Sequence, residues 1–598
     1  MASLSQLIDD RELAFQLYEV LGVESLLSRP RFAEHSRQTF DAALEAAAKI
    51  ALNVFQPHHR KADLEEPRFV NGEVQVIPET AEAIRAFAES GLPAAGNDYA
   101  QGGMQLPWTV AQACYAHFHA ANVATFAYCF LTIAAAHLIE RFGTDDQKRR
   151  FMEPLLDGRA LGTMCLSEPQ VGSSLGDITT RATPLPNGTY RLRGTKMWIS
   201  GGEHTMTSNI IHLVLAKIDG APSGVKGISL FIAPRKRLDA NGQPGEKNGI
   251  TLVGLNHKMG YRGTVNTVLN LGESEDCIGE LVGEPHQGLP YIFHMMNEAR
   301  VVVGMSAAAL GMAGYRVSLE YARARLQGRT PDAKRSPGQT PIINHADVRR
   351  LLLEQKTYAE GALSLGLYCA FLLDEQKTSP DEVQRKRSTL LLDILTPIMK
   401  AWTADWCLRA NYNAIQVLGG AGYTRDHPVE QFYRDNRLNP IHEGTNGIQA
   451  IDLVGRKLSI DNGSAFAELV VAMRNDLQKA AGVAELTEHA ASLAQAIELL
   501  ERTTAPLAAA SKGKSAGVDN ATLYLDFLGH IVIAWVWLRQ AAAAVSCSKK
   551  NPALAEFCAG KQHAAAFFFQ RELPSVMYKA GILMSGDDLC SSMRDEWF

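Results

Sequence analysis

The sequence predicts an α+β protein with a helical N-terminal domain, a central antiparallel β domain, a C-terminal helical bundle and an extra C-terminal helical domain. Three changes of texture carry this. Apolar residues recur at helical spacing up to about residue 160, short β-branched and aromatic runs broken by Gly, Pro and Asn fill about 161–285, and long helical patterns return afterwards. A length of 598 residues accommodates about three to five domains. The boundaries fall at 1–160, 161–285, 286–457 and 458–598.

In the first region, DAALEAAAKIALNVF and TAEAIRAFAESG have amphipathic helical spacing. The loop GLPAAGNDYAQGGMQLPW separates them from ANVATFAYCFLTIAAAHLIERFG, whose broad apolar faces imply burial on more than one side. The second region alternates strand-like runs (TYRLRGTKMWISGG, NIIHLVLAKI, GISLFIAP, NTVLNLG) with turn residues, the pattern of antiparallel strands. In the third, ARVVVGMSAAALGMAGYRVSLEYARARL is rich in Gly and Ala, which permits close helix approach, and two further long helical patterns follow. The last region is Ala-rich and helical. Its most apolar run, FLGHIVIAWVWLRQAAAAV, is interrupted by His530, Arg539 and Gln540 and reads as a packed helix, so no integral membrane segment is expected.

Composition excludes several classes. With 46% hydrophobic and 21% charged residues the chain is an ordinary globular protein, and a net charge of −5 gives no chain-wide field for nucleic acid. The nine cysteines are scattered without a C-x-x-C pair, which argues against a disulfide framework or a thiolate metal site; no metal is expected. The N-terminus carries acids from its ninth residue and lacks a basic start followed by an apolar run, so a cytoplasmic location is expected. Neither a Walker sequence nor G-x-G-x-x-G after a strand occurs, so any nucleotide must be held another way.

Three stretches invite chemical readings. CLSEPQVGSSLGDITTRA, from Cys165, places Ser167, Gly172, Ser173, Ser174 and Gly176 after an apolar run, offering N–H and hydroxyl donors to a phosphate or flat heterocycle, or forming a plain surface turn. GTKMWISGG sets Trp198 near Ser200 on a predicted strand, where the indole could cover a cofactor ring or simply pack on the sheet. In QVLGGAGYTRDHPVEQFYRDNRLNPIHEGTNGIQAIDLVGRK, Glu443 precedes Gly444 at the end of a loop. There a carboxylate can project into a cavity beside a backbone N–H aimed at a ligand carbonyl; alternatively, Glu443 and Thr445 merely cap the helix from Asn446 to Arg456.

Together with ERFGTDDQKRRFMEPLLDG, HKMGYRG and VGEPHQGLPYIFHMMNEARVVVG, these stretches resemble the acyl-CoA dehydrogenase family over roughly residues 90–457. The resemblance implies FAD as cofactor and α,β-desaturation of an acyl-CoA, with Glu443 as the catalytic base. It further implies that Leu166, Ser167, Trp198 and Ser200 contact the flavin, that Arg325 reaches the FAD pyrophosphate of a neighbouring subunit, and that Gln416, Gly419 and Gly420 receive FAD from the adjacent protomer. Thr445 and Asn446 would lie near the adenine half. Ser173, Arg300 and Gly444 would serve the substrate. Electron-transferring flavoprotein is the implied acceptor. FAYCFLT, around Phe126 to Thr132, is a candidate lining of an acyl tunnel or plain core.

Two departures from the family pattern stand out. Ser174 follows G-S where an acidic residue is usual, and the segment GRTPDAKRSPGQTPIINHADVRR after Arg325 is longer than in compact members. The stretch beyond about 458 resembles the enlarged members, including long-chain enzymes and those acting on 3-methylthiopropanoyl-CoA, and implies a homodimer. The expected substrate is a medium- to long-chain fatty acyl-CoA. The alternatives are 3-methylthiopropanoyl-CoA, an oxidase passing electrons to O2, and a non-enzymatic helical scaffold.

Overall fold

The computed structural model describes residues 7–329, 338–510 and 519–598, so part of the long segment after Arg325 lies outside the described residues. The chain forms two compact units. One comprises Asp41–Leu106 with His117–Ala299, the other the N-terminal residues to Phe40 with Pro107–Ala116 and Arg300–Phe598.

The first of these holds an eight-stranded sheet. Its strands run in the order Ile250–Leu255, Asn266–Leu271, Tyr190–Ser200, Cys277–Leu281, Ile228–Pro234, Asn209–Ile218 and Ala160–Cys165, with Arg181–Pro184 pairing both Tyr190–Ser200 and Asn209–Ile218. Most pairings are antiparallel, as expected, and two are not: Ala160–Cys165 and Arg181–Pro184 both pair in parallel with Asn209–Ile218. Period-two alternation says nothing of strand direction, and NIIHLVLAKI is buried along its first eight residues, the near-continuous apolar run typical of parallel pairing. Tyr190–Ser200 changes partners along its length. Residues 190–193 pair with Arg181–Pro184 and residues 194–200 with Asn266–Leu271.

The helical part of this unit contains a two-stranded hairpin, Arg68–Val70 with Glu73–Gln75, where only helices were expected. Its turn is Asn71-Gly72, both at positive φ (+53° and +84°), the pair a two-residue hairpin turn favours. Phe126 is completely buried, with ring centroids 4.9–5.4 Å apart linking Phe55, Phe87, Phe118 and Phe126. Tyr128 is buried too, its hydroxyl accepting from Val265 N at 2.7 Å. Both residues belong to the packed interior.

The second unit is helical. Its long helices include Ala346–Thr378 and Glu382–Leu418, and Arg300–Ala324 completes the helix begun at Gly288. Small residues set how closely they approach. A Cβ on Gly304 would lie 2.3 Å from the Met399 carbonyl oxygen, and one on Gly366 would lie 2.2 Å from Met305 Sδ. The C-terminal residues add Ser464–Ala480, Thr487–Ala510, Ala521–Lys550, Ala555–Phe567 and Ser575–Ser585. Among the described residues, three helices are long and apolar enough to cross a membrane by length and composition; in Ala521–Lys550, 83% of the most apolar window is buried inside the protein.

A buried charge cluster fastens this extension to the bundle. Lys561 Nζ donates to Glu360 Oε2 at 2.7 Å and to Gln540 Oε1 at 3.1 Å, and it also bonds Glu12; Lys356 bonds Glu360 from the preceding turn of its helix. Two ammonium groups thus face two carboxylates, and the four come from the N-terminal segment, the bundle and the extension. Such a cluster is tolerated only because every charge has a partner.

Candidate active site

The flavin-type residues lie in the sheet-containing unit, on the loop after Ala160–Cys165 and at the end of Tyr190–Ser200. In the pairing with Asn266–Leu271, Lys196 opposes Leu269 and Ile199 opposes Thr267, so Met197 and Trp198 share Val268 as a bulge. The bulge puts Trp198 at φ +66°, a left-handed conformation costly for a bulky residue, and turns its indole outward with 57% of the residue exposed. Ser200 Oγ accepts from Asn266 Nδ2 at 3.1 Å. Leu166 and Ser167 are half-buried, and Ser173 is exposed just before the turn Leu175–Asp177.

The loop is held from beneath by residues the sequence reading missed. Lys196 Nζ donates to Leu166 O and to Glu168 Oε1, both at 3.1 Å, and Met197 N donates to Ser167 O at 3.0 Å. Glu168 also accepts from the backbone N–H and hydroxyl of Thr179 and of Thr180, at 2.6–3.0 Å. Burial pushes the Glu168 carboxyl up, but Lys196 and the threonines outweigh it and hold it at about 2. The only sequence signal for this pair was an acid one residue after Ser167 and a lysine two before Trp198.

The base-type residues lie in the helical unit. Glu443 (φ +54°) and Gly444 (φ +82°) are consecutive left-handed residues between the helices Val429–Asn436 and Asn446–Gly455. Gln449 Nε2 donates to the carbonyls of both, at 3.2 and 3.3 Å, and Asn446 N donates to Pro440 O at 3.0 Å. At Gly444 a Cβ would lie 2.8 Å from that amide nitrogen, so the position is closed to side chains as well as left-handed. Of the two capping residues considered, Thr445 alone caps, its hydroxyl accepting from Ile448 N at 3.3 Å. Glu443 is left with a solvent-accessible carboxylate and, among the described residues, no acceptor for its backbone N–H.

Protein atoms nevertheless crowd this side chain. The resulting desolvation pushes its carboxyl above the usual range, while Lys400 and Arg300 pull it back. Arg300 is buried and donates from Nη1 to Asp452 Oδ2 at 2.6 Å, a paired cation whose charge acts on Glu443. The Asn446 side chain faces inward. Oδ1 accepts from Lys400 Nζ at 3.0 Å and Nδ2 donates to Ala401 O at 3.2 Å. Gln416, Gly419 and Gly420 are exposed at the end of Glu382–Leu418, and Arg325 is exposed just past Ala324. No hydrogen bond or ion pair among the described residues joins these four to the Glu443 loop.

The acyl-CoA dehydrogenase N-terminal, middle and C-terminal domain profiles match residues 38–159, 163–272 and 286–458, and a profile described as acetyl-CoA dehydrogenase C-terminal like matches 466–594. The chain is 34% identical to 3-methylmercaptopropionyl-CoA dehydrogenase of Ruegeria pomeroyi, over 89% of this chain and 90% of that one. It is 32% identical to the broad-specificity linear acyl-CoA dehydrogenase FadE5 of Mycobacterium tuberculosis, over 94% and 95%. In fold it is similar to Caenorhabditis elegans ACDH-11 in complex with C11-CoA (TM-score 0.76, 18% identity, 96% of each chain). It is also similar to an acyl-CoA dehydrogenase complexed with FAD from Bacillus anthracis (TM-score 0.73, 20% identity, 94% and 91%). The chain defines an enzyme of the flavin-dependent dehydrogenase class. It belongs to the acyl-CoA dehydrogenase family, whose cofactor is FAD.

The residues present fit that cofactor. An indole held outward by a bulge, with the Ser200 hydroxyl two residues on and the loop backbone at Leu166 and Ser167, offers a flat apolar surface bordered by donors, as an isoalloxazine ring needs.

Proposed function

We propose that the protein desaturates a medium- to long-chain linear fatty acyl-CoA between its α and β carbons, giving the trans-2-enoyl-CoA in fatty acid β-oxidation. The observation that carries this is Glu443, which presents a carboxylate and an unused backbone N–H from one left-handed residue. An α-proton of a thioester is too weakly acidic for a carboxylate unless the developing enolate is stabilised. The Glu443 N–H donates to the thioester oxygen, and the carboxylate, its basicity raised by desolvation, takes the α-proton. Held at Leu166, Ser167, Trp198 and Ser200, FAD would supply the acceptor for the β-hydride, and an electron-transferring flavoprotein would take up the two electrons.

A linear substrate is supported by the mycobacterial relative. The Ruegeria relative favours a second reading, a 3-methylthiopropanoyl thioester. The exposed Gln416, Gly419, Gly420 and Arg325 support a homodimer in which each copy completes its partner's cofactor site, and we place the enzyme in the cytoplasm.

The test is anaerobic titration of the flavin spectrum with straight-chain acyl-CoAs and 3-methylthiopropanoyl-CoA, with Glu443→Gln in parallel. Bleaching by one class, lost in the variant, supports the reading and names the substrate; protein that takes up no FAD overturns it. Rapid reoxidation in air would point to an oxidase, and sedimentation equilibrium measures the dimer.

A further inference from the structure

Lys400 lies within the apolar run ILTPIMKAW of the helix Glu382–Leu418, and it is fully buried. A buried ammonium ordinarily has a carboxylate beside it. Lys457 has Asp393; Lys196 has Glu168; Lys561 has Glu12 and Glu360. Lys400 has none within 4.0 Å among the described residues, and its one hydrogen bond, at 3.0 Å, goes to the neutral Asn446 Oδ1.

The geometry of that bond is specific. Asn446 is the first residue of the helix that follows the base loop, three residues after Glu443. Its amide is clamped at both ends by adjacent residues of one helix, Lys400 through Nζ and Ala401 through its carbonyl. The charged groups that act on Lys400 are Glu443 and Asp405, which favour its cation, and Arg300, which opposes it. His442 is held neutral at about 3, chiefly by burial and then by the Lys400 charge. Burial brings Lys400 itself down to about 7, so its charge is adjustable near neutrality.

We propose that Lys400 is a positioning residue for the base: it fixes the start of the helix behind Glu443 through Asn446, and its charge keeps the Glu443 carboxylate ionised and ready to accept a proton. The inference rests on Glu443 being the base. The two parts separate by substitution. Lys400→Met removes anchor and charge, Lys400→Arg keeps the charge, and Asn446→Ala removes the anchor and keeps the charge.

The experiment follows Glu443 ionisation directly, as the carboxyl band in the infrared difference between each protein and the same protein carrying Glu443→Gln, over a pH series. It needs no turnover and therefore reports on Lys400 even if no acyl-CoA bleaches the flavin. Lys400→Met is expected to move the Glu443 midpoint up by about one pH unit, equivalent to a tenfold change in proton affinity, with the acid limb of flavin reduction moving equally. Lys400→Arg is expected to restore the midpoint. Asn446→Ala is expected to slow flavin reduction without moving it. An unmoved midpoint in a folded Lys400→Met protein overturns the proposal, as does a shift of equal size in Lys400→Arg. If Lys400→Met does not fold, Lys400→Gln, close to it in length, takes its place with the same criteria.

Discussion

Replacing Lys561 by Met removes a cation that bonds Glu12, Glu360 and Gln540 in a fully buried site. Glu360 keeps Lys356, but Glu12 is left with Gln16, whose Nε2 donates to it at 2.8 Å. Leaving one carboxylate buried without its partner costs about 3–5 kcal/mol. In a domain of 150–250 residues each kcal/mol moves Tm by about 2–4 °C, and because this unit is larger, a fall of roughly 5–10 °C is expected at pH 7. The sign with pH is fixed by Glu12. Burial and the Glu360 charge already raise its carboxyl, and losing Lys561 raises it further. The folded variant then binds a proton more readily than the unfolded chain, so lowering the pH from 7 to 5.5 should recover part of the loss. Glu12→Gln added to Lys561→Met removes the orphaned charge and should recover part of it at pH 7 as well. Thermal unfolding by circular dichroism of the three proteins at both pH values tests this. An unchanged Tm, or a deficit that does not shrink at pH 5.5 and in the double variant, would refute the view that the extension is locked on by charge.

Four further outcomes are expected. Glu443→Gln should retain bound flavin while slowing its anaerobic reduction by acyl-CoA at least about a hundredfold in stopped flow, because it removes the proton acceptor. Trp198→Gly should relieve the left-handed strain and raise apoprotein stability by about 1 kcal/mol in urea melts, yet weaken FAD binding in equilibrium dialysis. Gly444→Ala, left-handed and only 2.8 Å from Gln449 Nε2, should cost about 1–2 kcal/mol by urea unfolding and slow flavin reduction by displacing the base. Because Glu168 sits at about 2 when folded and near about 4.3 when unfolded, the stability it provides is complete above 4.3 and lost as pH falls toward 2. Glu168→Gln should therefore flatten the acid limb of the urea midpoint over that range.

Much of the fold was legible because long helices and buried strands write their period into the sequence. The parallel pairing of Asn209–Ile218 was less so: direction is set by how the chain returns, although an unbroken apolar run was there to read. Asn71-Gly72 is a strong hairpin signal, and helical neighbours on both sides hid it. Glu443, Trp198 and Ser200 could be picked out because the surrounding motifs are unusual. Lys400, Lys196 and Glu168 could not, since a single charge declares neither its partner nor its burial.

What no residue pattern shows is that Trp198 and Glu443, the aromatic and the base of the proposed reaction, are both non-glycine residues in the left-handed region. Each conformation costs on the order of 1–2 kcal/mol, and each is imposed by its surroundings. At Trp198 the constraint is register: two residues must oppose the single Val268, and Lys196 and Ile199 are pinned on either side. At Glu443 it is the Gln449 amide gripping two successive carbonyls, with Asn446 fixed by Lys400 just beyond. A relaxed strand would carry the indole on the regular alternation of sheet faces, and a relaxed loop would free the Glu443 N–H to find a partner within the chain. On the proposed function the strain has a use, because in both places the conformation that costs stability is the one that leaves a group the reaction needs unused by the protein itself.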